Sequence, residues 1–572
     1  MRKLVLFFVL LTAIVGYSQQ SPDPSISNQL YKDAPEWAKL MYSENPNANT
    51  IDQLYREYYE THEYVKSYHT QYYKRWRRAI NPFLNNEGFY DHTKKLQAIE
   101  AARTLQGSVN AKQVGNWSVM GPFESYREGG TVFSGAQTNI YSISQCLNTP
   151  NVLYCGTESG EVYKTTNGGD NWTNASKTLV TTLAPQAVIA NGGVRAIAVH
   201  PNDPDTVYAG SGSELFKTVN GGISWTVVFD SNIPLFGYID NPSEIFINPT
   251  NPDIVFLAGK AGVHRSTDGG LNWSQVVVNE VFDLKAQPGN PNTLYVVRNN
   301  TATNTHQFLK STDGGVVWLA QTTGWYNSTD PNRSVVGAKI AVSNADSNKV
   351  YAFLIGDSKA GDNGFIGLYK SDDAGVSWVN TMGYDGAPYT ATHLNLLNSD
   401  PSGGGFNQGF YNCAIMASNT NADEVLVGGI GMWRSNDGGQ TFTCIFNYGC
   451  GIHNPMHVDM QDFKAFGNEY WATTDGGIFK SNDLFATQPE FKMTGVHGTD
   501  FWGFGSGWNR DLLVGGTFHN GVDVYSEGFP FGSFLDLGGG EPASGYVNPG
   551  TEQIYSTNIG GRFIQQLLAV LF

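Results

Sequence analysis

Six times the chain writes a variant of Ser/Thr-x-Asp/Asn-Gly/Ala-Gly-x-x-Trp/Phe, each directly after a short β-like run. The copies start at Thr165, Thr218, Ser266, Ser311, Ser371 and Ser435, at spacings of 53, 48, 45, 60 and 64 residues. Repetition at this interval implies units that bury their faces on one another, and a period near fifty fits a four-stranded blade. The motif has a physical logic of its own. A short acidic or amide side chain in a tight turn accepts hydrogen bonds from the loop's N–H groups, and the glycines adopt backbone angles that other residues resist. The aromatic residue that follows begins the next strand and offers a large apolar surface for burial between sheets.

The repeat is longer than its motif. Upstream of most copies lies a Pro/Asn-rich turn followed by a strand, as in HPNDPDTVYAGS and NPTNPDIVFLAG, and before that a short apolar run such as VRAIAV, SEIFIN or VFDLKA. Each unit therefore reads strand, turn, strand, hairpin, strand, motif, strand. Weaker copies at 469–483, 511–526 and 553–563 bring the count to about nine, the last two without a recognisable motif. The expected fold is an all-β propeller of seven to nine units, with a second, incomplete propeller as an alternative for the last ones. The closing GGRFIQQLLAVLF stops partway through a repeat, so the sequence reads as incomplete at that end.

The motif resembles the Asp-box of bacterial sialidases, sortilin-type receptors and xyloglucanases, in which it occupies a blade's outer hairpin away from the ligand face. The resemblance implies structural roles for Asn167, Asn220, Asp268, Asp313, Asp373 and Asp437. The preface PEWAKLMYSENPNANTIDQLYREYYETHEY, followed by YYKRWRRAINPF, is similar to the N-terminal region of large secreted Asp-box proteins exported by the bacterial type nine route.

Residues 1–18 have a basic start, an apolar stretch from Leu4 to Val15 and small residues before Gln19, the layout of a secretory signal peptide. No other segment suits a membrane span. With a formal net charge of −16, the chain is a poor partner for nucleic acid. Residues 19–110 read as a helical extension: Ile51, Leu54, Tyr58, Val65, Tyr68, Tyr72, Trp76 and Ile80 recur at helical steps, giving one long amphipathic helix from Asn49–Thr50 packed on the propeller, with a second helix at 92–105. The propeller then fills 111–572. Five cysteines make neither a disulfide scaffold nor a zinc site; Cys444 with Cys450, and Cys146 with Cys155, read equally as pairs or as free buried thiols.

In propellers the first strand of each blade lines the central channel. Counting back 12 or 13 residues from the aromatic of each second strand gives Arg195, Glu244, Asp283, Lys339 and His457, an ionisable ring in otherwise apolar strands. These residues are expected either to face a wet channel as ligand contacts or to pair, Arg195 with Glu244 and Asp283 with Lys339, and fill it. The stretch 453–462 places His457, Asp459 and Gln461 on one strand face and Asp462 on the other, with Asp475 and His519 nearby in the repeat. It resembles a His-x-Asp strand followed by Asp-Gly-Gly in the secreted Asp-box family, but Met460–Gln461 stand where related chains often carry a second histidine, which weakens a metal reading. The set admits a cation site, an acid–base carboxylate pair drawn from Asp459, Asp462 and Asp475, or a hydrogen-bonded plug.

Arg-Ile-Pro is absent, which argues against a sialidase. Trp325, Trp502 and Trp508 lie outside the motifs and could serve as sugar platforms for a xyloglucanase-like glycosidase. The best overall fit is a secreted or cell-surface, sortilin-like binding propeller with a protein or glycan ligand at the channel mouth and no cofactor or metal; the alternative is a glycoside hydrolase acting on β-linked polysaccharide.

Overall fold

A computed structural model describes residues 28–97 and 119–566, apart from 44, 66, 92, 96, 128–132, 177–192, 231–241, 328–334, 358–363, 384–393, 399–407, 410, 448–449, 452–455, 508–510, 539, 541–543, 549–550 and 558–562. The expected signal segment 1–18, and most of the helix expected at 92–105, lie outside these residues.

Among the described residues nine sheets follow one another along the chain, antiparallel but for one added strand in the eighth. The first seven, at 140–174, 196–230, 244–277, 281–320, 335–382, 414–451 and 460–491, are blades 1 to 7 of a β-propeller. Each is four strands in sequential order, with a fifth short strand in blade 6. The ring closes without a shared sheet: Ile140, Tyr163 and Trp172 of blade 1 pack in one cluster with Trp471, Ile478 and Met493 of blade 7.

The outer hairpins show how the repeat builds the ring. In blade 3 the Ser266 hydroxyl donates to Asp268 Oδ1 at 2.8 Å and accepts the Gly270 N–H at 2.8 Å. Asp268 then accepts the N–H groups of Leu271 and Asn272. Asp313, Asp373 and Asp437 cap their turns in the same way, through the N–H groups of Val317, Ser377 and Thr441. Asn167 and Asn220 supply an equivalent amide oxygen to Asn171 and Ser224. The hydrogen bond from the Asn272 side chain, followed by that from its N–H, holds the Asp268 carboxyl down at about 2. The second glycine is needed for close approach: at Gly315, with φ of 79°, a Cβ would lie 2.3 Å from the Phe256 ring of the preceding blade. The motif tryptophan then fastens the two blades, with Trp225 Nε1 donating to Ala175 O at 2.8 Å and Trp273 Nε1 to Val228 O at 3.0 Å. Trp172 of blade 1 makes the same bond to Lys492 O of blade 7, at 2.9 Å.

Blade 7 carries a seventh hairpin of this kind that its sequence conceals. Ser481 and Asp483 repeat the capping bonds, while Leu484 and Phe485 occupy the glycine positions at φ of 53° and 58°. Asp475-Gly476-Gly477 is a different hairpin, at the opposite end of the blade.

Two sheets stand outside the ring. The eighth, 501–536, takes up the strand Glu124–Tyr126 in parallel beside Ser533–Asp536; the ninth, Ser544–Val547 onward, packs on the eighth through Val514, Val524, Val547 and Ile554. The extension departs from expectation. In place of one long helix there are α1 (Asn28–Asp33), α2 (Glu36–Met41), α3 (Ala48–Thr61) and α4 (Tyr68–Ile80). Ser67 and Thr70 form a reciprocal capping box that starts α4 afresh. Among the described residues the apolar faces pack on each other: Trp37, Met41, Ile51, Tyr72 and Trp76 share one cluster made of helical-extension residues. Cys146 and Cys155 are free buried thiols, so that pairing is not made; Cys444 is disulfide-bonded.

Trp471 is fully buried where blade 7 meets blade 1. Trp471→Ala is expected to cost about 3–5 kcal/mol and to lower the thermal midpoint sharply, whereas Ile223→Ala, at an exposed hairpin position, is expected to leave it unchanged.

Candidate functional site

The channel has three levels. At its upper end, where the inner strands begin, three hairpins converge: 157–162 of blade 1, 474–478 of blade 7 and 517–521 of the eighth sheet. They bring Glu158, Asp475 and His519 together beneath Tyr411. The Tyr411 hydroxyl donates to Asp475 Oδ1 at 3.0 Å, accepts from Asn139 Nδ2 at 2.6 Å and lies 3.2 Å from His519 Nε2. Gln461 Nε2 donates to the same Asp475 oxygen at 2.6 Å, and His519 Nδ1 lies 3.3 Å from Asp475 Oδ2. Asn520 Nδ2 donates to Asp475 O at 2.8 Å. Gly476 permits the convergence, since a Cβ there would lie 2.0 Å from Gly135 O. Asp459 sits beside this group at φ of 68° and accepts Gln408 Nε2 at 2.9 Å and Asn412 Nδ2 at 2.6 Å. Asp475 is 0 % exposed, Asp459 4 % and His519 6 %.

Several residues thus lie elsewhere than their spacing suggested. Asp459 is in a left-handed turn before the inner strand Met460–Phe466, not in a strand shared with His457 and Gln461. His457 lies above the ring position assigned to it, and burial pulls its imidazole down. The count fails because blade 7 pairs Ala465 with Tyr470 across the tight Phe466-Gly467-Asn468-Glu469 turn, whereas the aromatics Tyr208, Phe256, Tyr295 and Tyr351 of blades 2 to 5 pair with residues ten positions back.

The middle level holds Glu244, Asp283 and Lys339, with Asp462 and Lys464 in the place expected for His457. The expected pairings, Arg195 with Glu244 and Asp283 with Lys339, give way to others. Lys285 bridges Glu244 and Asp283, the latter at 2.7 Å, and Lys464 reaches Glu244 at 3.3 Å and Asp462 at 3.4 Å. Asp283 also accepts the Ile340 N–H at 2.7 Å. Arg195 lies with its guanidinium 3.8 Å from the Tyr141 ring centroid, a cation–π contact. Burial alone would raise the Glu244 carboxyl; Lys285 and Lys464 outweigh it and hold the group low. Asp462 is pushed up by burial. A polar cavity of about 40 Å³ lies between this level and the upper one, lined by Tyr141, Arg195, Lys339, Tyr411, Gln461 and Asp462.

The lower end is open. A pocket of about 530 Å³ is walled by Phe246, Ile340, Ile415, Met416, Phe463 and Phe466 and rimmed by Pro249, Thr250, Pro288 and Pro291, with Glu244, Lys285 and Lys464 as its floor. Sequence reasoning missed both lysines, although Asp283-x-Lys285 and Asp462-x-Lys464 share a two-residue step that sends both side chains to one strand face. Tyr411, Glu158 and Gln408 carried no periodic signal. Trp325 is an inter-blade core residue donating to His306 O, Trp502 stacks on Phe518, and Trp508 lies outside the described residues.

Among the described residues no group of three or more His, Cys, Asp or Glu side chains has a metal-holding arrangement. A further carboxyl pair lies in the eighth sheet, where Asp523 and Asp536 face each other across adjacent strands and Ser125 Oγ donates to Asp523 at 3.1 Å. Burial, then the charge of Asp536, pushes Asp523 well up; burial raises Asp536 to about 6.

The fold defines the chain as a multi-blade β-propeller. It is similar to the GH74 enzyme of Niastella koreensis (17% identity, 77% of this chain and 74% of that one, TM-score 0.48) and to an ancestral GH74 enzyme (16%, 77% and 64%, TM-score 0.49). It is also similar to YCF48 from Cyanidioschyzon merolae (16%, 60% and 95%, TM-score 0.39). No protein-family model and no curated protein matches the sequence.

Tyr411→Phe removes the hydroxyl shared by Asn139, Asp475 and His519, and is expected to cost about 1–3 kcal/mol, with hydrogen exchange rising in 512–526 before it rises in blades 2 to 4. The Asp536 carboxyl has a folded value above its unfolded one near 3.9, so its contribution falls as pH rises from about 4 through about 6. Wild type should therefore melt lower at pH 7.5 than Asp536→Asn, by on the order of 2 kcal/mol, and the gap should close at pH 4.

Proposed function

We propose that this chain is a non-catalytic binding propeller, acting outside the cell or at its surface, that takes a protein or glycan ligand at its channel mouth. The observation that carries the reading is the enclosure of its carboxylates. A glycosidase needs two carboxyl groups on either side of a bound glycosidic link, open to polymer and about 5–10 Å apart. Here Asp475 and Asp459 are buried, the first accepting from Tyr411 and Gln461 and the second from Gln408 and Asn412. Asp462 faces Lys464 inside the channel. Asp459 and Asp475, buried and held by neighbouring side chains, are not placed to flank a polymer.

The opposite mouth has the properties of a ligand site, being concave, largely apolar and of a size that suits small ligands or a protruding side chain. Export rests on the signal-like layout of 1–18. Among the described residues no helix is long and apolar enough to cross a membrane.

A panel of β-linked polysaccharides and glycans, scored for bound material and for released reducing ends, tests the reading. No release is expected from wild type. Sugar release that Asp459→Asn or Asp475→Asn abolishes, with the fold intact by circular dichroism, would make the chain a hydrolase instead.

A further inference from the structure

The lower mouth combines two features that constrain what enters it. Its wall is apolar on several sides, formed by Phe246, Ile340, Ile415, Phe463 and Phe466. Its floor presents two ammonium groups and one carboxylate: Lys285 is 25 % exposed, Lys464 22 % and Glu244 15 %. Of the other carboxylates of the middle level, Asp283 is only 1 % exposed behind Lys285, and Asp462, 23 % exposed, lines the cavity above and not this pocket. Lys339 and Arg195 add further positive charge at that level. The floor is thus a basic spot within a chain of formal net charge −16.

We propose that the lower mouth binds a small apolar acid, its carboxylate seated against Lys464 and Lys285 and its hydrocarbon body against the phenylalanine and isoleucine wall. This rests on the binding-propeller reading and names its ligand class. An ammonium offers three donors, and the two contacts of Lys464, at 3.3 and 3.4 Å, are long for charge-assisted bonds, so a ligand oxygen can improve on them. A cationic ligand would meet two like charges, and a neutral one would leave the ammoniums desolvated without gain. A pocket of about 530 Å³ is large enough for an acyl chain or a small aryl body.

The test is isothermal titration of the purified chain at pH 7 with decanoate, decanol and decylammonium. Decanoate should bind saturably and at least about tenfold more tightly than decanol, with decylammonium weakest. Lys464→Gln should weaken decanoate about tenfold and leave decanol unchanged. Because Lys464 also touches Glu244 and Asp462, a second variant at the exposed rim, Thr250→Glu, guards against misfolding; it should weaken decanoate several-fold and leave decanol unchanged. Equal binding of decanol and decanoate, preference for decylammonium, or no saturable binding of any of the three would overturn the proposal. Each of those results leaves the binding-propeller reading standing, since that reading fails only on release of sugar.

Discussion

In each capped outer hairpin the hydroxyl of the leading serine or threonine donates to the acidic or amide side chain two residues on and accepts the N–H four residues on. That double use closes the hairpin tightly enough for its second glycine to come up against the preceding blade, on an aromatic ring at Gly169, Gly315 and Gly375. The tryptophan that follows is then delivered to the seam, and in blades 1, 2 and 3 its indole N–H bonds a carbonyl of the neighbour. Blade spacing, and with it the channel, depends on this contact. When Trp172 makes it to blade 7, the seven sheets become a ring.

The ring creates a hole, and its filling follows from the cost of bare charge. An ionised group out of water is tolerated only with partners in good geometry. The middle level meets that condition by letting one lysine serve two carboxylates and one carboxylate serve two lysines. The upper level meets it with side-chain donors: Tyr411 and Gln461 donate to Asp475, with His519 beside it, while Gln408 and Asn412 hold Asp459. Asp475 thereby also ties the hairpin 517–521 of the eighth sheet to the ring, through His519 and Asn520.

Legibility in the sequence tracked the range of the interaction. The capped hairpins were readable because they close over about seven residues with fixed chemistry, and so the all-β repeat architecture could be inferred. The last copy escaped because Leu484 and Phe485 take glycine angles, held there by burial that no local pattern reports. The single long helix failed for the opposite reason. Apolar steps run through His62–Ser67, but Ser67 and Thr70 cap a new helix within that pattern. In the channel, Glu244, Asp283 and Lys339 were found because blades 3 to 5 share one connection length, and His457 was misplaced where blade 7 shortens it. Tyr411 and His519 reach Asp475 across 64 and 44 residues, a convergence no window of sequence contains.

The two ends of the channel are unequal for a reason that also bears on function. At the upper end, the loops that in a propeller commonly receive ligands are occupied by the chain's own hairpin 517–521, whose left-handed His519 pushes its ring between Glu158 and Asp475. A ligand arriving there would have to displace several buried hydrogen bonds at once. At the lower end, the turns between first and second strands splay outward on their prolines and leave apolar wall facing solvent above a charged floor. Filling that volume removes apolar surface from water without breaking the network beneath it, so the free energy of binding is available at the lower mouth and is already spent at the upper one.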